Sequence, residues 1–279
     1  MRMGTQTDYF VFEITRIMKE TYQKDLTIYD SAFLSKSLQR RIAAIAVEQL
    51  DYPRYLQVNR HEAELLITSL HITYSQFFRN ALTFAVLEQL VLPHLLSQKP
   101  ENGEIRVWSA GCSTGQEAYS IAILLEELIV ASTKPMRYRI FATDLSQEAL
   151  GIARTGIYDE DGVANVRMKF LKKHFIKKSE AYAVAPGLKA KIDFSEYDLL
   201  DRYSSNPPDS IFGDFDIIFC CNLLFYYQND VRRSIVKKFK RSLAAGGYLV
   251  TGEAEAIFIG KDEALKSLSA SAPIFQINL

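Results

Sequence analysis

The residues best placed for chemistry are a glycine-bounded turn at the end of one apolar run and a carboxylate at the end of the next. Ile105–Ala110 leads into Gly111-Cys112-Ser113-Thr114-Gly115 and then a helical stretch, and the following run, RIFATD, ends on Asp144. In an open α/β sheet, ligands gather beyond the carboxyl ends of the strands, and the first turn approaches them most closely. Gly111 and Gly115 remove Cβ atoms that would block such an approach. An acid at the tip of the second strand is where a nucleoside ribose would offer its two hydroxyls. The spacing is not G-x-G-x-x-G, because Ser113 stands where the second glycine would be. A pyrophosphate needs the backbone nitrogens of that motif, so NAD and FAD fit poorly. A nucleoside without phosphates fits better, and S-adenosyl-L-methionine is such a ligand.

Other chemistries find little to work with. Cys112, Cys220 and Cys221 are the only cysteines, and an odd count with two adjacent makes neither a disulfide framework nor a zinc site. The four histidines (His61, His71, His94 and His174) are scattered, so no metal is expected. Lysine plus arginine and aspartate plus glutamate each number 33, giving zero formal net charge. That balance argues against nucleic acid and against a polybasic membrane anchor. Asn206-Pro207-Pro208-Asp209 resembles a string found in amino-group methyltransferases of nucleic acids. There it follows the fourth strand, whereas here it precedes FDIIFCCN within a cluster of turn formers, so it reads as a plain loop. The start of the sequence lacks an apolar signal core, and no run approaches ~18 apolar residues. A soluble, reducing, cytoplasmic setting and no membrane insertion are expected.

These residues need a scaffold. Residues 1–96 read as a small helical domain, with helices expected over 8–24, with Tyr9, Phe12, Ile17 and Met18 as its apolar positions, from a cap at Ser31 to about Leu50, over 61–70, and over 77–96 with an interruption near Pro93. Residues 97–104, SQKPENGE, read as a linker. Beyond it, short apolar runs (IRVWSAG, YRIFATD, FDIIFCCN, GGYLVTG) alternate with helical stretches over 116–132, 146–155 and 229–243. That alternation predicts an α/β fold, a doubly wound Rossmann-like sheet over 105–279, with a short β insertion at about 164–193.

Five segments together resemble the chemotaxis receptor methyltransferases, the CheR family: ITYSQFFRN, RVWSAGCSTGQEAYSIA, ATDLSQEALGIARTGIY, FDIIFCCNLLFYY and LAAGGYLVTGEAE. The resemblance implies S-adenosylmethionine-dependent methylation of glutamate side chains on a bacterial chemoreceptor, with S-adenosyl-L-homocysteine as product. It implies that Thr73, Ser75 and Arg79 close over the methionine end of the cofactor, with Arg79 pairing its carboxylate. Glu117 would face the amino end, with Gly111 at the turn, Asp144 on the ribose, and Asp198, Leu199, Asn222 and Leu223 around the adenine. Tyr226, with Arg79, would stand where the methyl is delivered. The sequence departs from the family pattern at Gln116 and Ala118 (often Glu and Pro), Cys221 (often Arg), Asp198 (often Asn) and Glu253 (often His).

The substrate implied is the cytoplasmic helical region of a chemoreceptor, and Lys36, Arg40 and Arg41 on the second helix are the candidates for docking its glutamates. Some relatives tether to a receptor tail through a glycine-rich loop in the insertion. Here that segment is short and lacks Gly-x-Gly, so independence from a tail pentapeptide is expected. Two alternatives are a sensor that binds S-adenosylmethionine or its demethylated product without catalysis, and a methyltransferase for another substrate.

Overall fold

The computed structural model describes residues 6–278. The chain divides into two compact units, one of residues 1–72 with 225–233, the other of 73–224 with 234–279. The division thus falls at Ile72/Thr73 and not at 97–104. Residues 73–98 bury Phe77, Phe84, Leu87, Val91, Leu92, Leu95 and Leu96 in the core of the second unit, which is why the expected linker joins two elements of one body.

The first unit holds helices α1 (Gln6–Tyr22), α2 (Ser31–Ile45), α3 (Tyr52–Val58) and α4 (Arg60–Leu70). Ile14, Ile17 and Met18 of α1 pack with Leu34, Leu38, Leu56 and Leu66. Tyr9 and Phe12, expected on that apolar face, are exposed. Asp30, rather than Ser31, caps α2, its carboxylate accepting from the Ala32 and Phe33 N–H groups. The helix ends at Ile45, where Ala46 turns left-handed. Pro53 lies in the first turn of α3 and so begins a helix that the sequence had not suggested, a position where its missing N–H costs nothing.

The second unit opens with α5 (Ala81–Val86), a π-helical turn (Leu87–Val91) and α6 (Leu92–Gln98). The interruption expected near Pro93 is this π turn: Pro93 cannot donate to Gln89, and the ladder slips by one residue ahead of it. Then follow β1 (Glu104–Ala110), α7 (Gln116–Ala131), β2 (Arg137–Asp144), α8 (Gln147–Thr155), β3 (Ile157–Asp159), α9 (Met168–His174), β4 (Phe175–Lys178), β5 (Ala181–Val184), α10 (Pro186–Lys189) and β6 (Ile192–Glu196). The chain ends with β7 (Phe215–Cys220), α11 (Asn229–Ser242), β8 (Leu243–Thr251), α12 (Glu253–Ile259), β9 (Leu265–Ser267) and β10 (Ile274–Ile277).

Seven strands form one sheet in the order β6-β2-β1-β7-β8-β10-β9, parallel through β8 and antiparallel at β10 and β9. The chain winds outward from β1 through β2 to β6, then returns to β7 on the other side of β1. The switch point of the doubly wound sheet therefore lies between β1 and β7, where a ligand crevice is expected. Every residue of β7 is buried, and so are the last four of β1, as in a parallel sheet covered on both faces. The insertion is a separate antiparallel sheet, β3-β5-β4, spanning 157–184 and so beginning before the expected 164. Its last two strands join through Ser179 and Glu180 alone.

Candidate cofactor site

At the switch point, the chain segments after β1 and β7 meet the segment 73–80. Ser113 locks two of the pieces: its N–H donates to Asp144 Oδ2 at 2.8 Å, and its hydroxyl donates to the Thr73 carbonyl at 2.7 Å. The Ser146 N–H donates to the other Asp144 oxygen at 2.9 Å. One carboxylate at the tip of β2 thus binds the turn after β1 to the start of α8. Gly115, at φ +94°, caps α7, and a Cβ there would lie 2.9 Å from the Ala153 Cβ. Its absence lets α7 and α8 approach closely.

The 73–80 segment is clamped from several sides. The Phe77 ring meets Tyr158 and Phe175 edge-on at 5.0 and 5.4 Å, and the Phe78 N–H donates to Ser120 Oγ at 2.9 Å. Phe78 and Asn80 both take positive φ, +50° and +61°. A left-handed phenylalanine costs on the order of 1–3 kcal/mol and persists only where the surroundings over-determine it. Those constraints hold Arg79, whose guanidinium stacks over Tyr74 at 5.3 Å.

Between these pieces lies a small cavity. Ser75, Arg79, Gly111, Glu117 and Asn222 line it, with Phe84 and Phe219 as aromatic wall and Cys221 beside Asn222. Glu117 accepts from Ser109 Oγ at 2.7 Å. Burial pushes its carboxyl up to about 7, against the hydrogen bonds from Ser109 and Cys221, while buried Glu255 raises it further and Arg79 lowers it. Burial also holds the Cys221 thiol well above its ordinary value, so it stays protonated at neutral pH. Asn222 sits at φ +60°, and its Oδ1 is buried without a hydrogen-bond partner.

Of the residues expected at the cofactor, five line the cavity and the others stand elsewhere. Thr73 contributes its carbonyl to Ser113, and its side chain is exposed. Asp144 holds the two turns described above. Leu223 fills the space left by Gly111, where a Cβ would lie 2.8 Å from Leu223 Cδ2. Asp198 is exposed and accepts from the Leu200 N–H at 2.8 Å, next to buried Leu199, in the turn after β6. Tyr226 belongs to the first unit, where its ring packs on Phe33 at 4.6 Å and Phe225 at 4.2 Å. Lys36 and Arg40 are exposed on α2. Arg41 is not part of that open face. It makes a two-point pair with Glu62 at 2.8 and 2.5 Å, and Tyr52 donates to the same carboxylate at 2.9 Å.

The residue most clearly missed is Glu255, a fully buried carboxylate that receives four backbone N–H groups. Its signal was Gly252-x-x-Glu255 straight after a strand, a weak form of the capping box because glycine replaces the usual serine or threonine. Cys221 was noted only as a departure, and its contact with Glu117 depends on the meeting of β1 and β7.

The cavity offers one cation (Arg79), one acid (Glu117), a hydroxyl (Ser75), an unsatisfied amide oxygen (Asn222) and an aromatic wall. A buried acceptor left without a partner costs roughly 1–3 kcal/mol, and a ligand N–H would relieve it. Such a set suits the carboxylate and ammonium of an amino acid joined to a nucleobase bearing an amino group. S-adenosylmethionine fits this set of groups.

Comparison with known proteins agrees. The profile of the family described as "CheR methyltransferase, SAM binding domain" matches residues 73–274. A chemotaxis protein methyltransferase of Listeria innocua is 33% identical over 95% of this chain and 95% of its own. One of Borreliella burgdorferi is 34% identical, covering 74% and 73%, and one of Escherichia coli is 32% identical, covering 78% and 74%.

Proposed function

Since the chain belongs to the CheR methyltransferase family, we infer that it methylates glutamate side chains of a bacterial chemoreceptor, using S-adenosyl-L-methionine and releasing S-adenosyl-L-homocysteine. The observation that carries the reading is the cavity at the β1/β7 switch point, with Arg79, Glu117 and Asn222 on its wall. When bound, the cofactor supplies a methyl group on a cationic sulfur. A glutamate carboxylate is already ionised at neutral pH, its reference value being near 4.3, so no general base is required. The task left to the protein is to hold both partners and exclude water.

Arg79 is assigned the cofactor carboxylate, since a guanidinium makes a two-point pair with it. Its stacking on Tyr74 and the clamped backbone on either side limit the freedom it must lose. Glu117 is assigned the ammonium, and the opposite charge would draw its proton off. Ser75, Gly111 and Asn222 complete the contacts. Asp144 is assigned the ribose: two of its lone pairs are taken by Ser113 and Ser146, and a carboxylate has roughly two more to offer. Leu223 and the Asp198–Leu199 turn are assigned the adenine. Thr73 fixes its segment through Ser113, and Tyr226 is assigned the orientation of the incoming glutamate.

Recognition of the receptor's cytoplasmic helical region is assigned to the first unit through Lys36 and Arg40, with Arg41 supporting that unit from within. The reaction belongs in the cytoplasm, a placement supported by three free cysteines. No helix among the described residues is long and apolar enough to cross a membrane. Independence from a receptor-tail peptide is supported by the two-residue Ser179–Glu180 connection, which leaves no loop at the end of the insertion. Micromolar binding of a tail pentapeptide in calorimetry would sink that part.

The test is titration of the protein with S-adenosylhomocysteine, repeated on Arg79→Ala. Micromolar binding, weakened by about 10-fold or more in the variant, is expected. Failure of the wild type to bind would remove the assignment.

A further inference from the structure

Glu255 is the third residue of α12, and none of its surface is exposed. A carboxylate so placed costs a large desolvation penalty unless it is fully hydrogen-bonded. Here Oε2 accepts from the Gly252 N–H at 2.6 Å and the Asn222 N–H at 2.9 Å, and Oε1 from Leu223 and Leu224 at 2.7 and 2.6 Å. Three successive N–H groups can converge on one carboxylate only if the chain curls around it, as with bound anions in backbone nests. The left-handed Asn222 provides that curl.

We propose that Glu255 is a positioning residue for cofactor binding, acting through the backbone of residues 222–224. This rests on the reading of the cavity given above. The carboxylate does not itself line the cavity. By fixing three backbone nitrogens, it holds Asn222 at the cavity wall and seats Leu223 over Gly111. The fit is close from the other side as well: a Cβ on Gly252 would stand 2.8 Å from Asn222 Nδ2 and 3.0 Å from its backbone N.

Glu255→Gln keeps the size of the side chain but replaces one acceptor oxygen with an NH₂ that faces N–H groups. The expected result is a rise of at least about tenfold in the Kd for S-adenosylhomocysteine and in the KM for S-adenosylmethionine. The kcat at saturating cofactor and the KM for receptor should change by less than about threefold. A merely structural role would lower Tm and leave the cofactor affinity of the folded protein within about twofold, and that result would overturn the proposal.

Should Glu255→Gln fail to fold, Gly252→Ala carries the same test. It keeps the carboxylate as a chemical group, its φ of −77° suits alanine, and its Cβ, 2.8 Å from both Asn222 Nδ2 and Glu255 Oε2, forces the two apart. Unchanged cofactor affinity in Gly252→Ala would likewise contradict the proposal. Glu253→Gln, exposed on the same helix, should match wild type, and a loss there equal to that of Glu255→Gln would show that any change in α12 weakens binding. Wild-type protein that binds no S-adenosylhomocysteine overturns the reading of the cavity and the assignment with it, and is recognised because the variants then have no affinity to lose.

Discussion

Glu117 is the residue whose charge state most directly couples the cavity to its ligand. With burial raising its carboxyl to about 7 from an ordinary 4.5, the empty protein holds a proton there through much of the weakly acid range. An ammonium ligand favours the ionised form, so the affinity for S-adenosylhomocysteine should weaken as pH falls below about 7, by up to roughly tenfold per unit. Calorimetry between pH 5.5 and 8 should show this slope, and Glu117→Gln should bind more weakly with the slope gone. The sign for stability is opposite. Between 4.5 and about 7 the folded state binds more protons at this site than the unfolded one, so the group favours folding at acid pH and that contribution is lost as pH rises through 7. Thermal unfolding of the ligand-free protein, wild type against Glu117→Gln, would reveal it as a difference in pH dependence. At this scale Gly111 was legible from its glycine turn, whereas Arg79, Glu117 and Asn222 were marked only through the family resemblance, and all four line the cavity. Asp144 shows where that reasoning stops: its position at the tip of β2 was legible, while the two backbone groups it holds depend on the shape of the neighbouring turns.

Among the elements, strands β1, β2, β7 and β8 and helices α7, α8 and α11 were legible because their boundaries are written in local chemistry: continuous apolar runs, glycine turns and helix caps. The stretch 81–98 was harder. Its π turn arises from the one N–H that Pro93 lacks, and its packing within the second unit follows from side chains distant in sequence, such as Phe219 against Phe84. Gly115→Ala tests the packing of α7 on α8. A positive φ and a 2.9 Å approach to Ala153 together predict a destabilisation of about 1–3 kcal/mol, read by urea unfolding. The neighbouring Gly151, with nothing near its missing Cβ, should accept alanine with no loss.

Across the whole molecule, the division into units was read from sequence at the linker-like 97–104, since proline, glycine and charge mark chain that lacks a core of its own. The actual division is set by which core receives Phe77 to Leu96, a long-range matter. The first unit has its own buried network, Arg41–Glu62–Tyr52, in which Glu62 is 2% exposed and Arg41 17%. Arg41→Ala strands a buried carboxylate and should destabilise that unit by roughly 3–5 kcal/mol in denaturant unfolding. Lys36→Glu with Arg40→Glu should leave stability unchanged and raise the KM for receptor by several-fold, most visibly at low salt. The central claim, that glutamate side chains of a receptor are the methyl acceptors, is tested most directly by incubating the protein with S-adenosylmethionine labelled in its methyl group and a purified receptor cytoplasmic fragment. The account predicts label on the fragment that mild alkali releases as volatile methanol, the mark of a carboxylate ester. Label that survives alkali, or no transfer by a protein that binds S-adenosylhomocysteine, would contradict it.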